Sequence, residues 1–228
     1  MIARIRRRLS GDTEAGLSLV ELLVAASISV VILAVVSALF IQTAQVSAAS
    51  TQTQNSTTVA STIQDELNTV IRQATPVTVS GTTSAIASGT ATKLVIYSLI
   101  NVTNPANPAP VQVTFDGTSG SMIETQCVPQ SVGGAWSYAS CASTSTRNLG
   151  GVLQSPGVGQ LPLFTYNSSV TQAPLVIGSG AVAAGDLPNV QSITVGINVL
   201  ATGSKTAPTY LSSTISMPNV GLDPGVTS

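Results

Sequence analysis

Histidine, the commonest general base and metal ligand, does not occur in this chain of 228 residues. Two cysteines remain, Cys127 and Cys141, in "CVPQSVGGAWSYASC". Without histidine they cannot complete an ordinary zinc site, so in an oxidising compartment they read as a disulfide closing a short Gly-Gly loop. After Pro76 the only acids are Asp116, Glu124, Asp186 and Asp223, no two of them close in sequence, and the only lysines are Lys93 and Lys205. A Ser–Lys dyad would have to draw on those lysines, and no strand–turn–helix motif singles out its serine. "GVGQLP" and "GSGAVAAG" lack the strand and helix that let a glycine loop cradle phosphate. The pair Asp65 and Glu66 reads as a solvated helix face. The residues therefore predict a chain that is not an enzyme and needs no cofactor or metal. One acid stands apart: Glu21 is the sole charged residue between Leu17 and Ile41, where every other side chain is apolar or small. At the centre of a membrane helix such a carboxylate costs about 2.5–3.5 kcal/mol, and less near the end.

The elements that position Glu21 begin with a basic leader. Arg4, Arg6, Arg7 and Arg8 supply half of the eight basic residues and stand just before the apolar run. That placement holds the N-terminus in the cytoplasm and sends the following chain outward. Beyond residue 16 there are 4 basic and 7 acidic residues, which leaves no basic stripe for a nucleic acid. Leu22 to Ile41 is 20 residues, about the length of a membrane-spanning helix. From 17 to 75, 59 consecutive residues contain neither glycine nor proline. Val59, Ile63, Leu67, Val70, Ile71 and Ala74 recur at spacings of three and four, one apolar face of a helix. The helix, about 90 Å long if unbroken, is expected to stop at Thr75 because Pro76 disfavours helical geometry before it. "QTAQVSAASTQTQNSTT" in its middle is a weaker helix former and a candidate break.

After Pro76 the pattern changes to short β-branched or aromatic runs between Gly, Pro, Asn and Ser: "TKLVIYSLI", "VQVTFDG", "SMIETQC", "LPLFTYN", "PLVIG", "VQSITVGINVLAT" and "TYLSSTISMP". "DGTSG" marks a hairpin turn, and Ile193, Val195, Ile197 and Val199 alternate as one buried strand face. Charged residues are only 7%, while 30 Ser and 28 Thr fill the gap, a composition suited to β structure that packs on copies or partners. The fold class is thus α+β. Residues 17–75 form a long helix, membrane-spanning over 17–41 and amphipathic over 42–75, whose second half packs on an antiparallel β-rich domain at 76–228.

A basic leader ending in Gly16, followed by "LSLVELLVA" with Glu as the fifth residue after the glycine, resembles the processing motif of bacterial type IV prepilins and type II secretion pseudopilins. The resemblance covers roughly the first 25 residues. It implies that a prepilin peptidase removes residues 1–16 by cutting between Gly16 and Leu17, and commonly methylates the new amine of Leu17. Glycine suits a narrow cleft because its backbone can lie extended without a side chain. The freed amine, with a reference pKa near 8, is mostly protonated, so it and Glu21 can neutralise one another across neighbouring subunits and set their stagger. Leu17 departs from the family's usual Phe, and the helix lacks the Gly and Pro that often bend major pilins.

The long second helix and late β strands are similar to minor pilins and J-type minor pseudopilins. That likeness implies a pilin-like fold and a place at or near the tip of a type IV pilus or secretion pseudopilus, priming assembly or contacting cargo or surface. Implied partners are the peptidase, other pilin or pseudopilin subunits, an inner-membrane assembly platform, lipid, and an exported cargo or surface ligand. The implied location is the cytoplasmic membrane, single-pass, with the C-terminal domain outside, and then a filament. Two rivals stand beside it: a Sec-secreted β-rich protein cut after Ala48 in "VSAAS", and an uncut membrane-anchored envelope binding protein.

Overall fold

The computed structural model describes residues 18–100, 109–132, 135–171, 173–177, 180–200 and 207–220. The proposed cleavage site, Gly16 and Leu17, lies outside them. The chain divides into two units, one ending at Ala48 and one starting at Ala49. Helix α1, Leu19–Arg72, supplies residues to both.

In the first unit, every described residue of α1 is exposed, from Leu19 at 81% to Phe40 at 76% and Val46 at 66%. By length and composition α1 is long and apolar enough to cross a membrane. Three of its hydroxyls are turned onto the backbone: Ser27, Ser29 and Thr43 donate to the carbonyls of Leu23, Ala25 and Leu39, each at 2.8 Å.

The Ser/Thr-rich middle is helical too, and its hydroxyls turn onto the backbone in the same way. Thr53, Ser56, Thr57, Thr58 and Thr62 each donate to the carbonyl four residues back, at 2.9–3.1 Å. These hydroxyls, which otherwise compete with helix formation, bond within it. The candidate break does not occur.

In the second unit α1 buries Ala60, Ile63, Leu67, Val70 and Ile71, all at 0% exposure. The apolar face is therefore as the spacing predicts, with Ala60 buried and Val59 packed at its margin. Helix α1 ends at Arg72, three residues before the expected stop. There the backbone joins a sheet. Ala74 bridges Ser98, Thr75 N–H donates to Tyr97 O at 3.0 Å, and Ser98 Oγ donates to Val70 O at 2.9 Å. Sheet pairing and a hydroxyl cap thus replace the last turn.

Eleven strands follow among the described residues. Strands β1 (Val77–Val79) and β2 (Thr82–Ser84) make a small hairpin. β3 (Ile86–Gly89), β4 (Lys93–Ser98), β5 (Val111–Asp116), β6 (Ile123–Val132) and β7 (Ala135–Asn148) form an antiparallel sheet in sequence order. In the other sheet β10 (Val190–Leu200) pairs along one edge with β11 (Thr209–Ser216). Its second edge pairs with β8 (Val152–Leu153) and β9 (Phe164–Ser168). One core joins the α1 residues to Leu94, Ile96 and Phe115 of the first sheet and Phe164, Tyr166 and Ile193 of the second.

The alternation on β10 holds: Ile193, Val195, Ile197 and Val199 are at most 1% exposed. The "DGTSG" hairpin also forms, with Asp116 paired to Ile123. One reading changes. "PLVIG" is not a strand; only Pro174 bridges, to Asn167, and proline brings no N–H to a ladder. Of the segment between the cysteines, the described residues are the facing ends of β6 and β7; Gly133 and Gly134 of the expected Gly-Gly loop lie outside them. Cys127 and Cys141 form a disulfide across the two strands, with Cα atoms 5.3 Å apart.

Candidate functional site

Glu21 lies in the first turn of α1, where a carboxylate complements the positive end of the helix dipole. Ser18 precedes the helix, and its Oγ accepts the Glu21 backbone N–H at 3.2 Å. This is the serine half of a capping box, S-x-x-E ahead of an apolar run. Its sequence signal is "SLVE", residues 18–21. It gives Ser18 a local role: it satisfies one backbone N–H where the helix starts. None of the ion pairs among the described residues involves Glu21. Around it Leu19, Val20, Leu22, Leu23 and Val24 are 50–81% exposed. The arrangement offers one anion at the end of a fully uncovered apolar cylinder. It can bind a cation and an apolar phase together.

The charges of the β-rich unit behave differently. The expectation that Glu66 lies on a solvated face is corrected there, because it is ion-paired, and Glu124 is buried. Arg147 on β7 reaches both: its Nε donates to Glu124 Oε2 at 2.5 Å, and its Nη2 pairs with Glu66 of α1. Glu124 is completely buried, and Gln126 Nε2 donates to its other oxygen at 2.6 Å. The hydrogen bond to Glu124 is the main reason the Arg147 pKa is raised. Two carboxylates on one guanidinium tie α1, β6 and β7 together. That is a fastening, because each charge is already satisfied.

The tyrosines Tyr166 and Tyr97, both buried, and Tyr138, partly buried, are used the same way. Tyr166 hydroxyl donates to the carbonyls of Thr90 and Lys93 at 3.0 and 3.1 Å, and burial raises its pKa. A Cβ on Gly89 would come within 2.5 Å of that ring, so only glycine lets β3 pass it. Tyr138 stacks edge-on to Tyr97 at 4.7 Å and donates to Pro110 O at 2.9 Å; burial pushes its pKa up to about 12. Among the described residues no group of three or more His, Cys, Asp or Glu side chains could hold a metal ion.

No protein-family model and no curated protein sequence matches this chain. Among solved structures the chain is similar to one in the GspK-GspI-GspJ complex of the type 2 secretion system from enterotoxigenic Escherichia coli. The two are 10% identical, the match covers 72% of this chain and 99% of that one, and the TM-score is 0.40. A likeness of that degree leaves function to the residues themselves.

Proposed function

We propose that this chain is a membrane-anchored filament subunit, a minor pilin or pseudopilin processed between Gly16 and Leu17. The observation that supports it is the uncovered apolar half of α1 with its single carboxylate, Glu21, in the first turn. A 20-residue segment, Leu22 to Ile41, that is apolar but for three serines would be unstable if exposed to water, so lipid first and neighbouring apolar helices later are the fitting surroundings. In this reading the prepilin peptidase frees and methylates the Leu17 amine, Glu21 meets that amine on an adjacent subunit, and an inner-membrane platform drives assembly. Priming of assembly, or contact with exported cargo or a surface, belongs to the β-rich unit outside the cytoplasm.

N-terminal sequencing of the chain from membranes or filaments tests the cut. Leu17 first is the expected result; Ala49 first supports simple secretion, and Met1 first an uncut anchor. Gly16→Ala should leave the leader attached. The role of Glu21 needs a second comparison, because the Ser18 cap gives it a local use. Glu21→Gln keeps a side chain of the same length but removes the charge, whereas Ser18→Ala removes the cap at a cost of about 1 kcal/mol. Pairing between subunits predicts that Glu21→Gln is cleaved yet enters filaments at least tenfold less, while Ser18→Ala assembles nearly normally. Equal, small effects of both would reduce Glu21 to part of its own helix start.

A further inference from the structure

Strand β10 changes partners on one edge. It pairs with β9 as far as Val195 and with β8 from Val199 onward. The chain between β8 and β9 swings out and leaves a cleft of about 390 Å³ beside Gly196 and Asn198. That volume is at the lower end of small-ligand sites, roughly 300–1,000 Å³. Its walls are fixed by hydrogen bonds from several elements. Gly117 N–H donates to Thr92 O at 2.9 Å, Leu153 N–H to Gly120 O at 2.8 Å, and Leu161 N–H to Tyr210 Oη at 3.1 Å. A Cβ on Gly196 would meet the carbonyls of Leu161 and Pro162 at 2.7 and 2.8 Å, so the strand has glycine where the outer chain closes over it. The cleft is preformed, which lowers the ordering cost of binding.

Its lining carries no charge and no aromatic ring, and Leu153, Leu161, Leu163, Pro156 and Pro162 make much of the wall. A phosphate or carboxylate finds no cation there, and a planar base finds no ring to stack on. Thr92, Thr118, Gln154, Ser155 and Asn198 supply the polar groups, and Asn198 is the one that is almost wholly buried, at 7% exposure. Its Nδ2 donates to Ser155 O at 2.9 Å, while its Oδ1 is buried with no hydrogen-bond partner. An unmet buried acceptor is costly unless a donor arrives from outside the chain.

We infer that the cleft binds an uncharged peptide segment of a partner chain, taking an aliphatic side chain against the leucines and prolines while an adjoining amide N–H donates to Asn198 Oδ1. The inference is independent of the processing and membrane reading of the N-terminus. The full ¹⁵N-labelled chain in detergent micelles, titrated with N-acetyl-leucine amide, tests it by NMR. The expected result is saturable shifts of the Gly117, Gly120, Gly196 and Asn198 side-chain signals. A fully N-methylated analogue without N–H donors, and N-acetyl-lysine amide, should each bind about tenfold or more weakly. Asn198→Leu should lose the preference for the N–H-bearing probe. Ser155→Trp, on the exposed rim, should block binding without disturbing the core and decides the matter if Asn198→Leu does not fold. No saturable shift, meaning that the cleft holds solvent only, overturns the inference. So does equal binding of the methylated or lysine probe, or binding unaltered in both variants.

Discussion

Leu22, Leu33 and Ile41 are 57–66% exposed, whereas Ile63, Leu67 and Ile71, farther along the same helix, are fully buried. Both stretches are apolar and both are helical. They differ in where their partners come from. From Ala60 onward α1 carries one apolar face, and the two sheets of its own chain cover it. Before Ala48 the apolar residues run all round, a pattern that no single sheet could cover. The charges repeat the contrast: Glu124 is met by Arg147 and Gln126, while Glu21 receives only the local support of a helix start. One half of the molecule is satisfied within the chain, and the other is built to be satisfied by its surroundings.

The largest expected effect tests that division directly. Leu67→Ala removes a fully buried side chain from the core and should cost about 2–5 kcal/mol. Leu33→Ala, at 66% exposure, should change the unfolding of the β-rich unit by less than about 0.5 kcal/mol. Trp136, the only tryptophan, reports both in denaturant unfolding of the full chain in detergent. Equal destabilisation by the two variants would break the contrast.

A second, smaller effect is expected from the charges. Arg147→Met keeps an apolar stem on β7 but leaves the buried Glu124 carboxylate without its cation. Opening a fully buried pair costs about 3–5 kcal/mol; the half-exposed guanidinium and the remaining Gln126 donor reduce this to about 2–3 kcal/mol. Replacing Glu124 by Gln together with Arg147→Met should restore much of the loss, measured by the same unfolding. Failure of the double variant to recover would mean that Arg147 acts through Glu66 or through packing.

What could be read in advance followed physical periodicity. A run of 59 residues without Gly or Pro made a helix legible, and alternation made β10 legible, because each buries one face. Strand β7 was missed for the converse reason. From Ala139 to Asn148 every residue is exposed, so an edge strand rich in Ser and Thr shows no apolar period to detect. The Glu66–Arg147–Glu124 cluster was illegible because its members come from α1, β7 and β6, and only the folded topology brings them together. Among the candidate site residues, Gly16 and Leu17 came from a motif rather than from periodicity. The Asn198 acceptor gave no signal: an asparagine on an alternating strand looks like a solvent-facing residue until the outer chain covers it.

The smallest effect separates a surface carboxylate from the buried one. Asp116 ends β5, where Thr118 Oγ1 and N–H both donate to Oδ1 and Lys93 Nζ lies 3.3 Å from Oδ2. The Thr118 hydroxyl is the main cause of its lowered pKa, with burial opposing and the Thr118 amide and Lys93 adding to it. A carboxylate bound more tightly in the folded chain contributes stability that is complete above its unfolded pKa, near 3.9, and fades as pH falls through the lower folded value. Because the side chain is 32% exposed, the contribution is about 0.5–1 kcal/mol. Asp116→Asn should therefore be slightly less stable than the parent at pH 7, and the two curves should converge below about pH 4. A gap that persisted unchanged into acid would place the effect in the turn geometry instead of the charge.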